Sequence, residues 1–357
     1  MSGAILNSLS RPQADAHRKP SSRGMLDLGE APCKLVYSQG EQDSPPRVTI
    51  AIPTYNRPTL LKEAIESARA QAGQHDYEVV IVDNASSPES REATLKMLYE
   101  YPNLRLRYYV NADNVGIFPN WNRCLHLARG EWVSVLNDDD LLRPDFLDVM
   151  MAKVDSQPEL EALICQRAVL DLRDIRNPYR GWKADLHSKL VQWARFKGRS
   201  EIRLTPARLF WANIAGSSLG ALYRRASVVD LGGFNPGDAP IADYALNIRL
   251  AIRTNFWQVP EPLAVVRIQV NETMKPETLR GVLLQNYRLR SSLIERGSVP
   301  QRWGRWTRHL LAHELGAAQK RWGQLLDGAT MAEALSIPPI KSSAGWMYIV
   351  RLLHGGV

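Results

Sequence analysis

Trp132-Val-Ser-Val-Leu136 runs directly into Asn137-Asp138-Asp139-Asp140, a mostly apolar segment of strand length that ends on three consecutive carboxylates. Adjacent carboxylates repel one another at neutral pH, so the cluster is costly unless a cation or a hydrogen-bonding partner balances it. Hard oxygen ligands with open positions suit Mg2+ or Mn2+ held by one or two carboxylates and completed by substrate phosphates. On residue types alone, a second reading stays open: one Asp caps the next helix and the others are solvated.

Working outward, the same strand-then-polar pattern recurs. Upstream, Val48-Thr-Ile-Ala-Ile52 closes in Pro53-Thr54-Tyr55-Asn56-Arg57, and Pro58 opens a helix with Leu61, Ala64, Ile65 and Ala68 on one stripe. Glu78-Val-Val-Ile-Val82 is a continuous apolar run, the mark of a strand buried on both faces, and it ends in Asp83-Asn84-Ala85-Ser86-Ser87. Strands over 104–110 and 160–170 and helices over 88–100, 119–128 and 144–154 complete the alternation. That spacing predicts an α/β fold, a doubly wound, mostly parallel sheet. Ligands of such sheets bind beyond the carboxyl ends of the strands. The polar clusters at 54–57, 83–87, 111–116 and 137–140 all fall there.

Thr54, Tyr55, Asn56 and Arg57 combine hydrogen-bonding groups, a stacking ring and a guanidinium suited to phosphate. Asp83 can accept from a nucleotide base or ribose, or simply close an Asx-turn and cap the following helix. Beyond the basic stretch 171–208, read as an excursion with a helix resuming near Pro206, strands are expected over 215–223 and 262–269. A helix over 242–253 lies between them. From 277 the pattern is helical, through 277–296 and 303–326, with a linker over 336–343 and a short helix over 346–353. The expected organisation is a tail over 1–46, a domain over 47–275 with halves 48–170 and 171–275, and a basic helical region over 276–357.

Composition narrows the class. The chain has 357 residues, 23% charged and 8% aromatic, so it is globular and long enough for a sizeable core. It has no apolar run long enough to span a bilayer and no clear secretory leader, and Cys33, Cys124 and Cys165 suit a reducing cytoplasm. His309 and His313 stand four apart but match no zinc pattern. The net charge of +8 is uneven. Residues 48–170 hold 12 basic and 18 acidic residues (net −6), whereas 280–326 hold 9 and 2 (net +7). The excess is therefore no diffuse nucleic-acid signature. In the helical region Trp303, Trp306 and Leu310 share a face beside Arg302, Arg305 and Arg308. That arrangement fits either peripheral contact with an anionic membrane from the cytoplasmic side, or packing against the domain or a second subunit of a homodimer.

Taken in order, these segments carry a family resemblance. Residues 48–57, 79–86, Asn114-Val-Gly116, Asn120-Trp-Asn122, 128–132 and 137–144 resemble family 2 glycosyltransferases of GT-A fold, as do 223–225, 232–234 and 242–250. The resemblance implies inverting transfer from a nucleotide-diphosphate sugar, with a UDP-sugar the commonest donor, to a hydroxyl of a glycan, lipid-linked or small-molecule acceptor. It implies a role in glycan, polysaccharide or glycosylated natural-product synthesis. It assigns donor contacts to Pro53, Thr54, Tyr55, Asn56, Arg57, Asp83 (base), Asn114, Gly116, Asn122 and Asp138 (ribose). Mn2+ or Mg2+ falls to Asp139 with Asp140, and the general base to Asp243, for which a plain helix cap is the alternative. The chain departs from the family at Asn137, where an Asp is usual, and at Ala242, where Glu is common. Gln269 stands where many members have a histidine near the metal, and its carbonyl oxygen is the weaker ligand. A sugar nucleotidyltransferase would show a glycine-rich loop after the first strand, and 53–57 has no glycine. A catalytically silent nucleotide-sugar or carbohydrate-binding module is the other alternative, and retention of Asp139 and Asp243 weighs against it.

Overall fold

The computed structural model describes residues 25–40, 42–172, 200–268, 275–322 and 328–338. Its first half alternates as expected: β1 (Cys33–Gln39), β2 (Val48–Thr54), α1 (Pro58–Arg69), β3 (Tyr77–Asp83), α2 (Pro88–Leu98), β4 (Leu106–Asn111), α3 (Ile117–Leu127) and β5 (Trp132–Val135). Then come β6 (Leu141–Leu142), α4 (Phe146–Ser156), β7 (Ala162–Asp171), β8 (Ile202–Arg203), α5 (Pro206–Trp211), β9 (Ala221–Arg224), α6 (Arg225–Asp230), α7 (Ala242–Arg253) and β10 (Phe256–Ile268). The helical end is α8 (Pro276–Glu295), α9 (Gly304–Trp322) and α10 (Gly328–Ala334).

These strands form one mixed sheet in the order β1-β4-β3-β2-β5-β9-β7-β10-β6, with β8 beside β10. The β4-β3-β2-β5 block is parallel, as is β7 with β10, and short antiparallel strands join and flank them. Both faces are covered. Val79 and Ile81 point into one core with Leu61 and Ile65, while Val80 and Val82 point into the other with Trp121 and Leu125. The two-residue side-chain period of a strand explains this, and explains why β3 carries no polar alternation.

Three expectations change. Residues 1–46 are not all tail, because Cys33–Gln39 pairs antiparallel with β4 and extends the sheet edge. The strand expected over 215–223 is only Ala221–Arg224, because the preceding residues form the loop that packs on Arg167. The next strand begins at Phe256, six residues before Pro262, and absorbs two prolines through register shifts against β7. Most of the basic excursion, and the helix expected over 346–353, lie outside the described residues.

The aromatic face of the helical end is turned inward. Trp303 stacks at 5.3 Å from Phe210 and 5.0 Å from Trp211, Trp306 lies 6.1 Å from Trp211, and Leu310 is fully buried. Arg290, also buried, donates from Nε to the Phe210 carbonyl at 2.8 Å and from Nη1 to Glu314 at 3.0 Å, tying α8 to α5 and α9. The face proposed for lipid is thus packed against the protein core, with Trp303 and Trp306 partly buried there. Basic neighbours suggested a membrane, but the indoles pack much of their surface on Phe210 and Trp211, which favours packing against the domain.

Candidate active site

The carboxyl ends of β2, β3, β4 and β5, parallel neighbours in the sheet, lie side by side and are stapled by their own turn residues. Asn56 takes a left-handed backbone with φ 54°, a conformation asparagine tolerates better than most side chains. Its N–H donates to Ser86 Oγ at 2.8 Å, and its Oδ1 accepts from the Ser87 N–H at 2.7 Å. Asn56 therefore joins the two turns. Tyr55 beside it is 45% exposed, leaving a ring face open to solvent. Pro53 is enclosed within β2 and supports this turn from beneath.

Asp83 sits deeper than a base-reading residue was expected to. It is 1% exposed, and its two oxygens accept from the Ser86 N–H and the Tyr108 hydroxyl, each at 2.7 Å. Asp83 thus braces the turn leading into α2, whose N-cap is Ser87. Tyr108 pays no ionisation cost as a neutral donor, and burial holds its phenol far above the usual range.

Asn84 organises the next loop. Its Nδ2 donates to Asn114 Oδ1 at 2.8 Å and to the Gly116 carbonyl at 3.2 Å, while its Oδ1 accepts from Asn111 and from the Val115 N–H. Asn111 in turn donates to Asn120, and Asn120 to the Val82 carbonyl. This buried amide ladder holds Asn114 and Gly116, both exposed, beside the strand ends. Gly116, at φ 86°, makes the turn into α3 that a side chain would strain. Asn84 and Asn111 were missed as site residues; the signal was a polar residue at the very end of each apolar strand. Asn122 is a correction in the opposite sense. It is fully buried and its amide is occupied by main chain, donating to the Asp27 and Phe234 carbonyls and accepting from the Phe234 N–H. No polar atom of Asn122 is left to meet a donor.

The acid cluster divides into unlike parts. Asp138 is 6% exposed; Thr54 Oγ1 donates to its Oδ2 at 2.8 Å and Arg57 Nη1 approaches its Oδ1 at 3.4 Å. The same Arg57 nitrogen lies 3.1 Å from Asp139 Oδ2, so one guanidinium bridges both carboxylates. Burial pushes the Asp138 carboxyl up to about 6, against the pull of Thr54 and Arg57. Asp140 is also pushed up to about 6, first by burial and then by the neighbouring charge of Asp139. Its oxygens are taken by Asn137 Nδ2 and the Arg267 N–H, both at 3.0 Å.

Asp140 therefore shapes the turn, each of its oxygens accepting one hydrogen bond. Asp139 differs: its side chain is 16% exposed and its partner there, Arg57, is 41% exposed. A guanidinium so exposed can swing aside. Asn137 Oδ1 lies beside the acids as a buried acceptor without a partner. Among the described residues no three His, Cys, Asp or Glu side chains form a metal cage. This donor set fits an ion that takes one or two carboxylates and draws its other ligands from phosphate and water. Gln269, the remaining candidate ligand, lies outside the described residues.

Arg267, on β10, was not foreseen. Its Nε donates to the Asp139 carbonyl, its Nη1 pairs with Glu63 on α1, and its backbone fixes Asp140. The returning strand thus sets the shape of the acid turn from behind.

Asp243 lies in the first turn of α7, where the N-cap position is taken by Ile241 without a side-chain cap. The plain N-cap alternative therefore fails. Asp243 Oδ1 accepts from the Tyr244 N–H at 2.7 Å. Burial pushes its carboxyl up to about 6, partly offset by that N–H and by the charge of Arg167. Arg167, on β7, lies within electrostatic reach of both Asp243 and Asp140. The fold thereby places Asp243, more than a hundred residues after the acid cluster in sequence, within electrostatic reach of Arg167.

The profile of the family described as "Glycosyl transferase family 2" matches residues 49–231, 183 of the 357 residues. Among curated relatives, the abequosyltransferase RfbV of Salmonella typhimurium is 32% identical over 136 residues, covering 38% of this chain and 40% of that protein. The chain thus matches less than half the length of that relative. Among solved structures, Staphylococcus aureus TarS 1–349 in complex with UDP-GlcNAc superposes with TM-score 0.55 at 18% identity, covering 82% of this chain and 76% of that one. The Pyrobaculum calidifontis mannosyltransferase PcManGT, in complex with GDP-Man and Mn2+, gives TM-score 0.51 at 21% identity, covering 82% and 79%. At those identities the likeness is one of fold.

Proposed function

The chain belongs to glycosyl transferase family 2 and is a glycosyltransferase, and from that premise we propose that it transfers a sugar, with inversion, from a nucleotide-diphosphate sugar to an acceptor hydroxyl, with Asp243 as general base. The observation that carries this reading is the placement of Asp243. It is a part-buried carboxylate on the first turn of α7, within electrostatic reach of Arg167, with its pKa raised to about 6. A base of that strength is ionised at neutral pH yet strong enough to take a proton from an attacking hydroxyl as the bond forms.

Donor binding follows from the strand ends. Tyr55 offers a ring face for the base, the Asn84-supported loop at Asn114 and Gly116 closes over it, and Thr54 holds Asp138 in place for a ribose hydroxyl. Arg57, exposed and bridging two carboxylates, is free to turn toward a diphosphate. Asp139, with Asp138 beside it, would hold a divalent ion such as Mn2+ or Mg2+, whose contribution is Lewis-acid stabilisation of the leaving diphosphate. That relatives of this fold are found with UDP-GlcNAc and with GDP-Man supports a nucleotide sugar as donor and leaves the base to experiment. The acceptor is a glycan, lipid-linked or small-molecule hydroxyl, consistent with the glycan-building names among relatives.

The test is a panel of UDP-, GDP- and dTDP-sugars scored by thermal shift with and without Mn2+, since a bound ligand raises native-state stability. One nucleotide series should raise Tm, more so with Mn2+, and Asp243→Asn should keep that shift while losing transfer. No shift with any donor would favour a silent module. Transfer that survives in Asp243→Asn would remove Asp243 from the chemistry.

A further inference from the structure

Arg167 has an arrangement that core packing alone does not require. Its Nη1 donates to two main-chain carbonyls, Ala215 at 2.6 Å and Ser217 at 2.9 Å. Between them Gly216 turns at φ +66°, and a Cβ there would stand 1.9 Å from Arg167 Nη2. The loop is wrapped onto the guanidinium so closely that a Cβ at this position would displace it. Asn213 braces this loop from within, donating to the Gly216 carbonyl at 3.2 Å and accepting from the Gly216 N–H at 2.9 Å.

The far side of the same loop faces α7. Asn247 donates to the Gly216 carbonyl at 3.4 Å and accepts from the buried Tyr223 hydroxyl at 3.5 Å. Asn247 is four residues after Asp243, so the two side chains share one face of the helix. The glycine loop therefore touches both the guanidinium and the face of α7 that carries Asp243. Among the described residues, the ionisable groups set electrostatically against Asp243 are Arg167 from β7 and Tyr223 from β9.

We propose that Arg167 is a positioning residue for Asp243: a cation immobilised by the main-chain carbonyls of a loop that packs on the helix face carrying Asp243. This inference rests on the reading of Asp243 as base. Carbonyls hold a guanidinium without neutralising it, so its charge remains available to the carboxylate across the loop, as it would not in a direct ion pair. Burial lowers the Arg167 guanidinium below its ordinary value, though a guanidinium remains protonated across the working range. The consequence is a base kept ionised and oriented by a partner that does not take up its oxygens.

The experiment reads Asp243 directly, by 13C NMR titration of carboxyl-labelled full-length protein, with the Asp243 signal assigned by its absence in Asp243→Asn. Loss of the cation in Arg167→Met should raise the Asp243 pKa by about one unit. Arg167→Lys, which keeps charge but not the fork, should stay closer to wild type. Gly216→Ala, which keeps the arginine but forces it away, should raise the pKa by an intermediate amount. An unchanged Asp243 titration in folded Arg167→Met overturns the proposal, and if that variant does not fold, an unchanged titration in Gly216→Ala does so. The two readings fail separately. Transfer surviving in Asp243→Asn refutes the base while leaving the NMR coupling intact, and an inactive Asp243→Asn with no coupling refutes Arg167 alone.

Discussion

Replacing Asp243 by Asn should stop transfer and, at alkaline pH, make the protein more stable. The carboxyl is raised from 3.8 to about 6, so folding favours its protonated form. The stability linked to that proton is fully present below pH 3.8 and is lost as pH rises through 6. A difference of about 2.2 units at 1.36 kcal/mol each gives about 3 kcal/mol as a ceiling. Because the group keeps some contact with solvent, about 1–2 kcal/mol is the realistic cost of the ionised form. Asparagine carries no charge and can still accept from the Tyr244 N–H, so it avoids that cost. Urea unfolding at pH 8 should show Asp243→Asn ahead by about 1–2 kcal/mol, an advantage that shrinks by about 1 kcal/mol at pH 5. Such a gain at the expense of activity is the signature of a strained catalytic group. A variant less stable than wild type at pH 8, or an advantage equal at both pH values, would refute the argument.

Other outcomes follow from the same geometry. Asn122→Ala should cost about 2–4 kcal/mol in urea unfolding while leaving nucleotide affinity in the surviving folded protein unchanged, because three main-chain groups lose their partner. Asp139→Asn should abolish any Mn2+-dependent gain in nucleoside diphosphate affinity measured by calorimetry, whereas Asp140→Asn should act mainly on stability. Trp303→Ala should lower stability by about 2–3 kcal/mol and leave co-sedimentation with anionic vesicles unchanged, because its indole packs on Phe210 and Trp211.

Much of the fold was legible because the chain obeys simple periodicities. Strands buried on both faces read as unbroken apolar runs, and α1 shows its stripe at Leu61, Ala64, Ile65 and Ala68. Edge and connecting pieces were less legible. Cys33–Gln39 is a strand only because β4 offers an open edge, and a lone edge strand with one covered face has little signal of its own. The aromatic face of α9 looked the same in sequence whether lipid or Trp211 covered it. Hydrophobic periodicity reports that a face is covered and says nothing of what covers it.

The site divides along the same line. Sequence by itself determined which residues stand at the strand ends, because a strand's polar terminus follows directly from where its apolar run stops. It therefore located Thr54–Arg57, Asp83, Asn114 and the acids at 137–140. Tertiary structure alone decided what each does there. Asp83, Asn122 and Asp140 have their polar atoms occupied by neighbours, while Asp139 keeps an exposed edge. It alone set Asp243 within reach of an arginine on β7 and beside a glycine loop that no motif marks. Chemical type is a property of one residue and is written in the chain. Whether a polar atom is free is a property of its neighbours, and these come from distant elements that only folding brings together.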